Sequence, residues 1–132
     1  MTTHTHTRTD VRLKRVYEQA DPSDGYRVLI DRLWPRGVSR EQASLDSWER
    51  DLAPSGGLRR WFRHDPSRFG EFRRRYIEEL RPEHARISEL RSLAREGTLT
   101  LVYAARDTEN NDATVLAEIL LHGLPSFDGA ES

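Results

Sequence analysis

The apolar positions of the chain fall into blocks with two different periods. In "VRLKRVY" (11 to 17), Val11 and Leu13 alternate with Arg12 and Lys14, which predicts a strand with one wet face at the edge of a sheet. "YRVLIDRLW" (26 to 34) contains the unbroken triplet Val28, Leu29, Ile30 and predicts a central strand covered on both faces. Pro35 ends it, because proline gives a ladder no donor. "TLTLVYAA" (98 to 105) predicts a second strongly buried strand, and "DPSDG" (21 to 25) is a turn that lets the chain reverse before residue 26.

The remaining apolar residues follow helical spacing. "VSREQA" opens a short helix with Ser39 as N-cap and Gln42 three residues on, a capping-box pattern. "APSGG" (53 to 57) is a break, and "LRRWFRH" after it forms a helical turn or two. A longer helix starts at "DPS", with Pro66 in its first turn and Phe69, Phe72, Tyr76 and Leu80 on one stripe. Another runs from about 83 to 95, buries Ile87, Leu90, Leu93 and Ala94, and stops at Gly97. "ATVLAEILLHG" (113 to 123) makes the last, with Val115, Leu116, Ile119 and Leu120 inward.

Strands joined through helices predict a single α/β domain over residues 10 to 124, its mostly parallel or mixed sheet flanked by helices. The Thr/His-rich residues 1 to 9 read as a disordered tail in which His4 and His6 are solvated, and residues 125 to 132 as a frayed end.

Composition narrows the function classes. The 132 residues suffice for one core and are too few for separate cofactor and substrate domains. The absence of cysteine excludes disulfides, a thiol nucleophile and thiolate metal sites. No segment approaches the roughly twenty apolar residues of a membrane span, and the first residues lack a signal-peptide core, so a soluble, cytoplasmic protein is expected. The formal net charge of −1 conceals a basic stretch, residues 59 to 95, with eleven Arg against six acids. Lys14 is the sole lysine, and arginine offers a planar donor fork suited to phosphates and carboxylates. High genomic GC content would produce the same bias.

If the strands at 26 to 34 and 98 to 105 are parallel, their carboxyl ends share the edge at which open α/β folds bind ligands. Two clusters then meet there: Asp31, Arg32, Trp34 and Arg36, and Arg106, Asp107, Asn110 and Asn111. Strand alternation places Asp31 and Arg32 on opposite sides. A buried carboxylate at 31 needs water or a cation such as Arg106 or Arg36, which leaves a structural ion pair, an anion-site framework and a general base as alternatives. Trp34 is either a stacking platform or a packed indole. "ARDTENNDA" crosses from strand to helix, so its amides either cradle an anion or cap the helix.

No GxGxxG or GxxxxGK[ST] phosphate loop is present, and "PSGGLRR" (54 to 60) is a weak substitute. His64 and Asp65 are adjacent, hence not a dyad by spacing, and read as a helix-end histidine beside a capping aspartate. In "EFRRRYIEEL", Glu71 to Arg75, Arg74 to Glu78 and Arg75 to Glu79 have ion-pair spacing on a solvated face. No metal-ligand spacing, serine elbow or cofactor motif is found.

Four segments in order, "RVLIDRLWPRGVSREQA", "LAPSGGLRRWF", "HDPSRFGEFRRRYIEEL" and "LVYAARDTENNDATVLAEIL", resemble the bacterial YeaO-like proteins, domain of unknown function 488, from about residue 11 to 123. The resemblance implies that Asp31, Arg32, Trp34, Pro35, Arg36, Gly37, Trp61, Phe62, His64, Asp65, Asp107 and Asn111 occupy family motif positions. It brings no assigned activity, and the uroporphyrin methyltransferase label of some members finds no methyl-donor loop here. Members similar to this chain commonly have Lys where Arg106 stands and His where Asn110 stands. Were that His a proton shuttle, Asn110 could not replace it, and the protein would be altered or inactive.

The expected function is therefore binding of an anionic, phosphate-bearing small molecule or nucleotide by Arg32, Trp34, Arg36, Arg106, Asn110 and Asn111. One alternative is hydrolysis of a nucleoside or phosphoester bond, with Asp31 or Asp107 as general base. Another is recognition of nucleic acid or an acidic partner by the arginine-rich helix 67 to 81.

Overall fold

The computed structural model describes residues 9–125. The expected disordered first residues and frayed last ones, with His4 and His6, lie outside the described residues. Four strands form one sheet: β1 (Asp10–Arg15), β2 (Tyr26–Leu29), β3 (Ser47–Trp48) and β4 (Thr98–Tyr103). Their order is β1-β4-β2-β3, and every neighbouring pair is parallel. Leu13 and Val28 both lie opposite Leu101, one on each side of β4. As the alternation of "VRLKRVY" predicts, β1 is at an edge, while β4 and β2 are central.

The helices are α1 (Arg40–Ala43), α2 (Gly56–Phe62), α3 (Phe69–Leu80), α4 (His84–Glu96) and α5 (Asp112–His122). Ser39 caps α1 in the reciprocal box read from sequence. Pro66 starts a 3-10 turn, Pro66–Arg68, that precedes α3 rather than lying inside it, with Asp65 accepting from the Ser67 N–H. The α2 to α5 helices cover one face of the sheet, and their apolar stripes meet Val28, Ile30, Leu99, Leu101 and Tyr103 in the main core. Within it, Phe62 and Phe72 stack at 4.3 Å, and the fully buried Tyr76 donates its hydroxyl to the Leu52 carbonyl.

The other face is covered thinly. Leu29 and Val102 pack there with Val16 and Ala43, joined by Trp34 and Trp48 edge to face at 5.3 Å. Beside this small cluster lies buried charge. Arg27, 3% exposed, donates to Asp24 at 2.6 Å and to the Ala43 carbonyl at 2.7 Å. Asp24 also accepts from Lys14 and from the Asp21 N–H, so both of its carboxylate oxygens are partnered. Gly25 brings this turn onto β4: its φ is +65°, and a Cβ there would fall 2.2 Å from the Thr98 carbonyl oxygen.

Two expectations need correction. The central strand ends at Leu29, well before Pro35, because Ile30 makes the last ladder contact, N–H to the Val102 carbonyl at 3.3 Å, and the chain then leaves the sheet. Strand β3, two residues in the stretch with the weakest periodicity, was not foreseen; short strands lack a repeat that a pattern can reveal.

Candidate functional site

The carboxyl ends of β2 and β4 open on a cleft of about 470 Å³. One wall is the chain just past β2 and β4, with Asp31, Arg32, Ala104 and Ala105. Opposite is α2, with Arg59, Arg60 and Phe62, followed by His64; Asn111 and Asp112 at the start of α5 complete the lining. Topology alone assembles it: parallel strands deliver their following loops to one rim.

Asp31 is held from both sides. Its carbonyl accepts the Trp48 indole N–H at 2.7 Å, and its carboxylate accepts the Ala104 N–H at 3.1 Å. Burial raises its pKa to about 6, opposed by that N–H and by the Arg59 charge. Asp112 keeps some exposed surface, yet protein atoms surround its carboxyl, and this desolvation together with the charge of Asp31 raises its pKa to about 7. Arg59 acts electrostatically on both acids. The charge of Asp31 is thus one cause of the rise at Asp112, so the two acids are linked electrostatically.

The other wall is fixed from behind. Glu79 on α3 accepts from the Ser55 N–H at 2.8 Å, and Ser55 caps α2 through the Leu58 N–H. Past α2 the backbone takes two consecutive left-handed residues, Arg63 at φ 52° and His64 at φ 53°. Neither is glycine, and each such residue costs on the order of 1 kcal/mol. This bend carries His64 to the cleft, near the negative charge of Asp107.

The residues singled out from sequence divide into two groups. Asp31, Arg32 and Asn111 line the cleft. Asp31 and Arg32 share it despite strand alternation, because both lie beyond the last residue of β2, where the pleat no longer applies. Arg32 reaches the Pro54 carbonyl at 3.3 Å. Trp34 lies on the opposite side of the sheet, donating to the Val38 carbonyl at 2.7 Å beneath the Arg40 guanidinium, so its indole is packed rather than open to this cleft. Arg36 and Arg106 are exposed and outside the lining; the cation beside Asp31 is Arg59 instead.

The 107 to 111 loop is organised around its own caps. Asp107 accepts the N–H groups of Glu109 and Asn110, both at 2.9 Å, and the Asn110 side chain at 3.1 Å. These bonds, the Asn110 N–H foremost, hold its pKa below the usual carboxylate value. Asn111, 3% exposed, caps α5 by accepting the Thr114 N–H at 2.9 Å and donates to the Asp107 carbonyl at 2.7 Å. The Ala113 N–H beside Asp112 opposes the rise in its pKa.

On α3 the arginines are engaged: Arg73 with Glu118 at 2.9 Å, Arg75 with Glu71 at 2.8 Å, and Arg74 with Glu71. The expected Arg74–Glu78 and Arg75–Glu79 pairs give way because Glu78 takes Arg81 and Glu79 takes Ser55. Trp61 lies between the Arg68 and Arg75 guanidiniums at 5.3 and 4.4 Å. Among the described residues no cluster of three or more His, Cys, Asp or Glu could hold a metal ion, and no helix is long and apolar enough to cross a membrane.

A family described as the inactive DUF488-N3 subclade has a model that matches residues 10–132. The chain belongs to this DUF488 family. An uncharacterized protein of Mycobacterium tuberculosis (strain H37Rv) is 46% identical over 112 residues, 85% of this chain and 94% of that protein. The uncharacterized protein YeaO of Escherichia coli K12 is 40% identical over 111 residues, 84% of this chain and 96% of that one. No solved structure matches significantly.

In this DUF488 chain, sequence reasoning passed over Asp112 as a site residue. The signal was present in "NND": an acid right after an asparagine cap occupies the first helical turn, and that turn follows a strand of the site. Arg59 and Arg60 were visible only as a weak phosphate-loop substitute, since nothing local shows that α2 faces the strand ends.

Proposed function

We propose that this domain binds a small anionic, phosphate-bearing molecule, a nucleotide among them, in the cleft at the carboxyl ends of β2 and β4. The observation that carries the reading is the convergence of three exposed arginines, Arg32, Arg59 and Arg60, on a walled hollow with an apolar floor of Phe62 and Phe72. Arginine forks suit phosphate oxygens, and ring atoms of a ligand suit the apolar part. The asparagines contribute less than sequence suggests, because the Asn110 and Asn111 side chains already donate to Asp107.

A hydrolytic reading has one observation in its favour, the pair of desolvated carboxyls Asp31 and Asp112. Against it stands the family description, which reads inactive. Binding without turnover accommodates both facts. Recognition of nucleic acid through α3 loses support, since Arg73, Arg74 and Arg75 already hold carboxylates.

The test is a thermal-shift screen of nucleotides and phosphorylated metabolites at fixed salt. A binding compound should raise the midpoint of the natural chain; Arg59→Ala should abolish the shift and Arg106→Ala, outside the cleft, should retain it. No shift with any compound, or an equal shift in Arg59→Ala, defeats the reading.

A further inference from the structure

The cleft mixes charges in an unusual way for an anion site. Three arginines face it, yet two acids share the same hollow, and Arg59 acts on both of them. The groups around the acids come from every neighbouring element: Arg32 after β2, Arg59 and Arg60 on α2, His64 after it, and Tyr76 on α3, which feels both carboxylates. Glu79 on α3 is turned to Ser55, and Asp107 to its own loop. Without ligand, Arg59 is therefore the cation nearest in effect to both Asp31 and Asp112.

An incoming oxyanion competes for that cation. Once Arg59 is shared with a second negative group, two partly buried carboxylates and an anion face one guanidinium, and the least costly relief is to neutralise one acid. We propose that the cleft lined by Arg59, Asp31 and Asp112 takes up an oxyanion together with a proton: the anion engages Arg59, and one of the two acids takes the proton. This rests on the reading of the cleft as an anion site and adds what that site demands of its ligand. Fully charged phosphate-type groups bind well only where the acid pair can be protonated, so affinity rises as pH falls from 8 to 6. The retained proton also makes the pair a hydrogen-bond donor to the bound group, which two carboxylates could not be.

Sulfate is the suitable probe, because its charge is constant over this range. Titration calorimetry at constant ionic strength, in buffers of different ionisation enthalpy, should show proton uptake on sulfate binding approaching about one per site. Affinity should then change by up to about tenfold per pH unit. Asp31→Asn with Asp112→Asn should remove both effects, and His64→Gln, which removes the imidazole from the cleft lining, should retain them. Sulfate binding without proton uptake overturns this inference and leaves the anion site standing; no sulfate binding at any pH overturns both. A pH dependence that survives the double Asn change, or disappears in His64→Gln, also overturns it. If the Asn variants do not fold, the buffer dependence of the natural chain decides alone.

Discussion

Arg27 and Asp31 lie four residues apart in one hydrophobic segment, yet they live in opposite electrostatic worlds. Arg27 points to the thinly covered face, where Asp24 and the Ala43 and Ser44 carbonyls take up its donors. Asp31 points past the sheet into a cleft, where the Ala104 N–H and the charge of Arg59 compensate it. The first charge is closed off, fully partnered and of use only to the fold. The second is incompletely compensated, and that deficit is what raises its pKa.

The largest effect should come from opening the closed network. Arg27→Met leaves the buried Asp24 carboxylate with Lys14 and the Asp21 N–H and should cost about 3 kcal/mol, read as a lower midpoint in urea unfolding. A cost under about 1 kcal/mol would mean that the pair behaves like a surface bridge and that the contrast is overdrawn.

Next in size is the pH profile. Asp31 and Asp112 have folded-state pKa values above the ordinary 3.8, at about 6 and about 7. Acids of this kind bind protons more tightly when folded, so their contribution to stability is full below about 3.8 and is lost as pH rises through about 7. The expected outcome is the direction, a loss of stability as pH rises between those limits. Asp24, with its lowered pKa, works in the opposite sense and loses its contribution as pH falls. Unfolding curves from pH 5 to 8 should slope downward in the natural chain and be flatter after Asp31→Asn with Asp112→Asn. Equal slopes would show that these carboxyls are no different from solvated ones.

The smallest effect sharpens the boundary between the two regions. Trp48→Phe keeps the edge-to-face packing on Trp34 but deletes the indole N–H that holds the Asp31 carbonyl. About 1 kcal/mol of stability should be lost, and in a urea titration of the double variant with Arg27→Met the two costs should add.

Much of this architecture is legible in the chain because burial imposes a period. Val28 to Ile30 and "TLTLV" can be only covered strands, and Phe69, Phe72, Tyr76 and Leu80 only a helix stripe. The capping residues Ser39, Asp65 and Asn111 announce helix starts for the same local reason. What local rules leave open is how distant segments meet. Asp31 was legible as a charge out of place, but its companions Arg59 and Asp112 come from α2 and α5, and no spacing in the sequence reports that encounter. Trp34 shows the reverse error: adjacent to the site in sequence, it is on the other face of the sheet in space.

The strand order also sets a timetable for synthesis. β4 lies between β1 and β2, so the first strand made has no partner until residues 98 to 103 have left the ribosome. Only the short β2 and β3 pairing can form earlier. The nascent chain must therefore carry a waiting, lone β1 until β4 emerges and close its sheet in one late event, a schedule that favours slow folding and makes the β4 segment the trigger for the rest of the sheet.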